Sequence, residues 1–271
     1  MKYGFIGCGN MGGALARALG AVTRDMMLTD RSGRARALAS ELGCVYGDIH
    51  TAAERCDRLF LGVKPQMMAG VLAEIAPELR QRKPRLNSMA AGLTMAQIAG
   101  MVGAPLPVIR IMPNTPVAVG KGLTLCCANE WVPEAELADF REDMRHSGRI
   151  EMVEERLIDP AGTVSGCAPA YVYMFLEAMA DGAVACGVPR EQALRYAAAA
   201  VSGAAEMVLA TGDHPGALKD AVCSPGGSTI AGVRVLEQKG FRGAVMDCII
   251  AAANKNRELG DQKFQAGKEP V

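Results

Sequence analysis

The chain has 271 residues, half of them hydrophobic and 21% charged, and its 29 basic and 29 acidic side chains give a formal net charge of zero. This balance does not favour a nucleic-acid or anionic-membrane partner, and an aromatic content of 4% offers few rings for base stacking. The first residues, MKYGFIGCGN, lack the apolar core of a signal peptide, and no uninterrupted apolar run reaches the ~18 residues of a membrane span. We therefore expect a cytoplasmic protein without nucleic-acid or membrane partners.

Nine cysteines are scattered along the chain without a CxxC pair, and the three histidines are isolated from one another. We therefore expect neither a disulfide framework nor a metal site. Most of the cysteines are expected to be buried as small apolar side chains.

Strand-like apolar runs alternate with helical patterns in the first half of the chain. Strands are predicted at residues 2–6, 26–29, 58–63, 85–89 and 108–112, with helices between them at 10–19, 33–42 and 66–79. Two further strands, at 122–128 and 150–153, flank a helix at 133–145. This alternation predicts an α/β Rossmann domain with a doubly wound, mostly parallel sheet.

The pattern changes near Asp159-Pro160. Beyond that point almost nothing is strand-like, and long helices rich in Ala and Met are predicted at residues 161–186, 190–210 and 241–259. These helices are apolar nearly all round, so they must be buried within a domain or against another subunit. We predict a Rossmann domain over residues 1–159 and an all-α domain over residues 160–271.

A glycine motif joins the first strand to the first helix. Its residues are Gly7, Cys8, Gly9, Asn10, Met11 and Gly12. In this context the first glycine permits a tight turn, the second admits a pyrophosphate, and the third lets the helix pack closely on the strand. The helix N-terminus then faces the phosphates, so we predict that these six residues bind a dinucleotide.

The second predicted strand ends at Asp30-Arg31, where the residue that recognises the adenosine ribose is expected. A carboxylate at this position favours NAD through the 2′-hydroxyl, whereas the neighbouring arginine can bind the 2′-phosphate of NADP. The two cues conflict. NADPH is favoured, and NADH remains an alternative.

Later strands end in further candidate cofactor residues, because ligands bind at the carboxyl ends of parallel strands. The candidates are Val63, Lys64, Pro65, Met89, Ala90, Ala91 and Asn114. Lys64 before Pro65 is equally a residue that starts a helix, and Asn114 before Thr-Pro is equally a turn residue.

Several segments, in this order, resemble pyrroline-5-carboxylate reductases: GFIGCGNMGGAL, VKPQ, RIMPNTPVAVGKG, SGCAPAYVYMFLEAMADGAVACGVPREQA and HPGALKDAVCSPGGSTIAGVRVLEQKGFRGAVMDC. The resemblance covers nearly the whole chain. It implies that the helical domain binds substrate and forms a homodimer, often within a decamer. It also implies reduction of the cyclic imine of L-1-pyrroline-5-carboxylate to L-proline with NADPH or NADH, the last step of proline biosynthesis. Cys167 departs from the family, where serine or another small residue is expected.

The segment CSPGGSTI interrupts the helical half of the chain. Gly226 and Gly227 allow positive φ, Ser228 or Thr229 can cap the following helix, and a helix N-terminus suits an anion. By itself the segment is equally a turn without a ligand. The resemblance implies that it holds the substrate carboxylate, with substrate-binding residues Ser224, Gly226, Gly227, Ser228 and Thr229.

The resemblance further implies that the Thr229 hydroxyl acts on the ring nitrogen, which makes Thr229 the candidate catalytic residue. Tyr171 and Tyr173 are alternative proton donors, although tyrosines in an apolar helix are equally core or interface residues. Two other functions stay open. One is a related cyclic imine or ketimine reductase, and the other is a non-catalytic dinucleotide-sensing protein.

Overall fold

A computed structural model describes residues 1–266, with side chains through residue 258, and an eight-stranded sheet is its central element. The strands are β1 (Tyr3–Ile6), β2 (Met26–Thr29), β3 (Val45–Tyr46), β4 (Arg58–Leu61), β5 (Arg85–Ser88), β6 (Val108–Met112), β7 (Gly122–Ala128) and β8 (Gly148–Met152). Their order is β3-β2-β1-β4-β5-β6-β7-β8, and only β6 and β7 pair antiparallel. The order reverses between β1 and β4, as in a doubly wound sheet, so the predicted fold class is confirmed.

Helices cover both faces of the sheet. They are α1 (Asn10–Gly20), α2 (Arg34–Leu42), α3 (Ile49–Arg55), α4 (Pro65–Glu74), α5 (Ala76–Arg82), α6 (Met95–Val102) and α7 (Glu134–Asp143). On one face Phe5 stacks on Phe60, with ring centroids 4.5 Å apart, in a core completed by residues of α1, α2 and α7. On the other face Leu61 and Leu86 pack with residues of α4, α5 and α6. Burial of these apolar side chains is the main stabilising term of the domain.

Two buried arginines tie α7 to the amino ends of β4 and β5. Arg58 pairs with Asp143 at 2.8 Å and also with Asp139, and Arg85 lies 2.7 Å from Glu136. Burial lowers the pKa of Arg85 to about 10. The carboxylates of α7 therefore compensate the charge that these arginines place inside the protein.

The second half is helical: α8 (Glu155–Ala185), α9 (Arg190–Thr211), α10 (Pro215–Ala221), α11 (Ser228–Gln238) and α12 (Phe241–Ala266). Two compact units divide the chain. The α/β unit is Met1–Gly166 together with the chain from Ala253 onward, and the helical unit is Cys167–Ala252. The boundary expected after residue 159 stays a prediction, and residues 267–271 of its second domain lie outside the described residues.

Three predicted helices differ from the observed ones, and one of them, expected over residues 241–259, continues to Ala266. The helix expected from residue 161 begins at Glu155 and runs through Pro160, because Asp159 and Glu155 are anchored on Arg110, at 2.5 and 3.8 Å. The helix expected over residues 66–79 is divided at Ile75, since Pro77 fits the first turn of a new helix but not the interior of a continuing one.

The helical unit leaves most of its apolar surface uncovered. Its buried hydrophobic residues, among those described, are Ala180, Ala193 and Ala197, while Met174 is 70% exposed. In the described part of the chain, α9 is the one helix long and apolar enough to cross a membrane, and 11% of its most apolar stretch is buried. These helices are therefore not covered within their own unit, and burial against another subunit is the remaining predicted alternative.

All nine cysteines are free thiols. Cys8, Cys56, Cys126 and Cys127 are buried, and Cys186 is exposed. The expectation that most cysteines are buried is therefore wrong. The four buried thiols all lie in the α/β unit, which has a dense core, whereas those of the open helical unit are partly or fully exposed.

Candidate active site

The glycine motif forms a tight turn at the carboxyl end of β1. Gly7 has φ of +98°, and a Cβ at this position would lie 2.7 Å from the carbonyl carbon of Gly62. A Cβ on Gly12 would overlap the carbonyl oxygen of Gly7. Both positions therefore require glycine for backbone packing. Around Gly9, by contrast, an added Cβ would meet nothing within 4 Å, so this residue borders open space.

The first turn of α1 is suited to a phosphate. Gly9 is the N-cap residue and has no side chain that could accept a hydrogen bond from the first N–H groups of the helix. These groups and the helix dipole favour an anion at this end. The motif therefore fits the dinucleotide predicted for it, through the backbone of Gly9, Asn10 and Met11.

Cys8, inside the motif, is a structural residue. Its side chain is buried, and its Sγ donates a weak hydrogen bond to the carbonyl oxygen of Thr29 at 3.9 Å. Burial raises the pKa of this thiol to about 12, so it stays protonated and is not a nucleophile at neutral pH.

The other predicted cofactor residues follow the parallel strands β2, β4, β5 and β6, whose carboxyl ends lie at the same edge of the sheet as the glycine turn. They are Asp30, Arg31, Val63, Lys64, Pro65, Met89, Ala90, Ala91 and Asn114. Lys64 is exposed and is the N-cap residue of α4, with Pro65 as the first helical residue. Lys64 therefore occupies the helix-starting position that the sequence also allowed, and its contact with the cofactor stays a prediction.

Asp30 already has partners within the chain. Its Oδ2 accepts hydrogen bonds from Ser32 Oγ at 2.9 Å and from the backbone N–H of Ala35 at 3.0 Å. This carboxylate oxygen therefore holds the start of α2. The ribose contact predicted for Asp30 stays a prediction.

Arg31 lies in a cleft of about 290 Å³ together with Gln66, Met67, Gly70, Val71 and Glu74. Its Nη2 is 3.3 Å from Glu74 Oε2. Sequence reasoning missed Glu74, because an exposed glutamate in a helix carries no pattern that would indicate a partner distant in the chain. The cofactor contact predicted for Arg31 stays a prediction.

Asn114 is buried and uses both of its polar side-chain atoms within the chain. Its Oδ1 accepts from the backbone N–H of Leu123 at 2.8 Å, and its Nδ2 donates to the carbonyl oxygen of Ser165 at 3.0 Å. The turn function that the sequence also allowed is therefore observed, and the cofactor contact stays a prediction.

The segment CSPGGSTI forms the turn into α11. Gly226 has φ of +71°, and the backbone N–H of Gly227 donates to the carbonyl oxygen of Ser224 at 3.0 Å. A Cβ on Gly227 would overlap Ser224 Oγ. Local structure therefore favours glycine at both positions. Gly226 needs it for its backbone conformation, and Gly227 needs it for its close approach to Ser224.

The N-cap residue of α11 is Gly227, and Ser228 and Thr229 are its first helical residues. The prediction that Ser228 or Thr229 caps this helix is therefore wrong, because both residues already belong to the helix. Since glycine offers no side-chain acceptor, the first N–H groups of α11 remain available to an anion. The side chains of Ser224, Ser228 and Thr229 are exposed.

Two other side chains in the helical unit have structural functions. His214 is the N-cap residue of α10, and its Nδ1 accepts from the backbone N–H of Gly216 at 3.0 Å. The hydroxyl of Tyr171 donates to the carbonyl oxygen of Cys248 at 3.5 Å. Within the described residues, no group of three or more His, Cys, Asp or Glu side chains is arranged to hold a metal ion.

A doubly wound sheet with a glycine turn at its first strand, followed by a helix with free N-terminal amides, defines a dinucleotide-binding protein. Comparison with known families agrees for both halves. The family model described as "NADP oxidoreductase coenzyme F420-dependent" matches residues 2–90, and that described as "Pyrroline-5-carboxylate reductase dimerisation" matches residues 155–259.

The curated pyrroline-5-carboxylate reductase of Escherichia coli (strain K12) is 44% identical over 264 residues, covering 95% of this chain and 98% of that protein. The solved pyrroline-5-carboxylate reductase of Coxiella burnetii is 31% identical, with a TM-score of 0.87 over 95% of this chain and 98% of that one. The Plasmodium falciparum pyrroline carboxylate reductase with NADP bound is 30% identical, with a TM-score of 0.83 over 96% and 98%. This chain belongs to the pyrroline-5-carboxylate reductase family.

This membership confirms the predicted family, and with it the predictions of an NAD(P)H-dependent reductase and of a helical dimerisation region. The alternative of a non-catalytic sensing protein loses its support, because the family is enzymatic. The individual contacts of the site residues remain predictions.

Proposed function

We propose that this protein reduces L-1-pyrroline-5-carboxylate to L-proline with NADPH, and with NADH as a second cofactor, in the last step of proline biosynthesis. One observation carries the proposal. The match to one enzyme family extends over 95% of the chain. The matching family models cover residues 2–90, which contain the glycine turn, and residues 155–259, which contain CSPGGSTI. The alternative, a related cyclic imine reductase, would keep the same carboxylate site and differ in ring size.

The α/β unit holds the cofactor through the backbone of the turn formed by Gly7, Gly9 and Gly12, with the uncapped start of α1 directed at the phosphates. Ala91 after β5 is small and exposed and leaves room for the nicotinamide, whereas Ala90 is buried in the core beneath it. When bound, the cofactor supplies a hydride to the imine carbon.

The turn before α11 holds the substrate carboxylate. The backbone N–H groups of Ser228 and Thr229 lie at a helix start with no side-chain cap, and Ser224 lies beside Gly227. A carboxylate bound there gains charge-assisted hydrogen bonds and the favourable helix dipole. The carboxylate thereby fixes the orientation of the ring.

The hydroxyl of Thr229 is placed in the first turn of α11 and donates a hydrogen bond to the ring nitrogen. Reduction adds a hydride to the carbon and a proton to the nitrogen of the C=N bond. Thr229, or a water that it holds, delivers the proton to the nitrogen of the neutral imine and so converts it to an iminium. Because the iminium is a strong electrophile, positioning and exclusion of water supply most of the remaining rate.

The protein functions in the cytoplasm as a homodimer formed through its helical unit, and dimers assemble further into a decamer. The exposed apolar side chains of α8 and α12, such as Met174 and Met246, support the first of these steps. Neither nucleic acid nor membrane is a partner in this proposal.

A direct assay separates the two candidate reactions. The purified protein is incubated with pyrroline-5-carboxylate or with the six-membered cyclic imine acid, each with NADPH or NADH, and the amino-acid product is measured by chromatography. The proposal predicts proline as the preferred product. Absence of proline with either cofactor would overturn it, and a higher kcat/KM for the six-membered ring would establish the alternative.

A further inference from the structure

We propose that Glu74 is a specificity-determining residue that limits the preference for NADPH over NADH, because its carboxylate holds the guanidinium of Arg31. The inference rests on the proposed use of both cofactors. Its basis is the cleft of about 290 Å³ in which these two side chains lie, with 3.3 Å between Arg31 Nη2 and Glu74 Oε2.

The residues of this cleft follow β2 and β4, the two strands that flank β1 in the sheet. Arg31 follows β2, and Glu74 ends α4, which follows β4. The strand order is β2-β1-β4, so the ion pair connects the segments on either side of the strand that carries the glycine turn. In a sheet of this kind the residue after β2 meets the adenosine ribose, where NADPH and NADH differ.

His50 lies on the other side of Glu74. Its Nε2 is 3.7 Å from Glu74 Oε1, and its Nδ1 is 2.7 Å from Glu78 Oε1. The carboxylate of Glu74 thus lies between an imidazole and a guanidinium, and the guanidinium is the nearer of the two.

The consequence differs for the two cofactors. When Arg31 binds the 2′-phosphate of NADPH, the Glu74 carboxylate competes with the phosphate for the guanidinium and also repels the phosphate. The 2′-hydroxyl of NADH is uncharged, so the pair can persist when NADH binds. Both effects reduce the advantage that Arg31 gives to NADPH.

A second arginine pair lies beside the glycine turn and provides a competing location for the phosphate. Arg17 and Glu41 form two hydrogen bonds of 2.9 Å in a cleft of about 300 Å³ that Arg34 also lines. This bidentate pair holds Arg17 more firmly than the single 3.3 Å contact holds Arg31. Arg31 is therefore the arginine more easily exchanged to a phosphate.

The test measures dissociation constants of NADPH and NADH by nucleotide fluorescence, without substrate, for wild type, Glu74→Gln and the charge-matched control Glu154→Gln, whose carboxylate is in an exposed pair with Arg156 and lines neither arginine cleft. For Glu74→Gln we expect tighter NADPH binding by about two- to five-fold, the size of an exposed ion pair, with NADH changed less than twofold. Glu154→Gln should leave the ratio of the two constants unchanged. An unchanged ratio in Glu74→Gln, or an equal shift in Glu154→Gln, overturns the inference.

A double-mutant cycle tests whether Glu74 acts through Arg31. Arg31→Ala should weaken NADPH selectively, and adding Glu74→Gln to it should then tighten NADPH less than Glu74→Gln does in the wild type, because only the repulsion of the phosphate is left to relieve. An effect of Glu74→Gln on NADPH that is as large without Arg31 as with it contradicts the inference. Because these experiments measure nucleotide binding alone, they give an answer even if the assay with pyrroline-5-carboxylate fails.

Discussion

Thr229 is the side chain to which the proposed chemistry assigns a direct interaction with the reacting ring. Thr229→Ala should lower kcat/KM at least tenfold, which corresponds to about 1.4 kcal/mol of transition-state stabilisation. Thr229→Ser keeps the hydroxyl and should retain most of the activity. Steady-state kinetics of proline formation measure both variants. Equal kcat/KM for wild type and Thr229→Ala would remove Thr229 from the mechanism.

Asn87 is a polar residue inside the α/β core. It is fully buried in β5, and neither Oδ1 nor Nδ2 finds a hydrogen-bond partner in the part of the chain that the structure describes. Its neighbours across the ladder are Phe60 and Ile109. A buried amide without partners destabilises the folded state, so a leucine of similar volume suits this position better.

We expect Asn87→Leu to raise the free energy of unfolding by about 1–2 kcal/mol, measured by urea denaturation. The matched control is Asn114→Leu, which removes two hydrogen bonds and should destabilise the protein. Destabilisation by Asn87→Leu of the same size as that of the control would contradict this account.

Among the elements, the first turns of α8 depend on an ion pair with β6. Arg110 is 2% exposed, and its Nη2 lies 2.5 Å from Asp159 Oδ1. Asp159→Asn removes the charge that compensates this guanidinium and should lower the free energy of unfolding by about 1–3 kcal/mol. The control Glu154→Gln, in an exposed pair with Arg156, should change it by less than about 0.5 kcal/mol. Equal effects on the urea midpoint would show that the Arg110 pair does not stabilise α8.

The ion pair between Arg110 and Asp159 also explains why the start of α8 could not be predicted from the sequence. Strands β1, β2, β4 and β6 could be predicted because short apolar runs end in glycine, Asp-Arg or proline. The start of α8 could not, because Pro160 predicts a boundary, whereas a contact with Arg110, distant in sequence, keeps the helix intact. Local patterns identify local structure, and long-range ion pairs leave no local pattern.

The candidate site, too, could be predicted from the sequence only in part. The glycine turn at β1 could be predicted from spacing, since each glycine meets a steric requirement of its own. The turn before α11 could be located, but its N-cap residue was assigned wrongly because serine and threonine are usual caps. The contact between Arg31 and Glu74 joins two segments far apart in the chain and is visible only in the fold.

For the whole molecule, the uncovered helical unit predicts an obligate assembly. The wild-type protein should sediment as a dimer or a larger species at micromolar concentration, because side chains such as Met174 and Tyr173 are 70% and 59% exposed in a single chain. Met174→Glu should shift it toward monomer, whereas the control Lys121→Glu, in an exposed loop of the α/β unit, should not. A wild-type monomer would contradict the prediction.

The central claim is that the turn before α11 recognises the substrate through its carboxylate. The most direct measurement compares kcat/KM for 1-pyrroline-5-carboxylate with that for 1-pyrroline, the same cyclic imine without a carboxylate, at saturating NADPH. Because the free N–H groups of α11 would then lose their anion, we predict a kcat/KM on the order of 100-fold lower for 1-pyrroline. Equal values for the two imines would contradict the account.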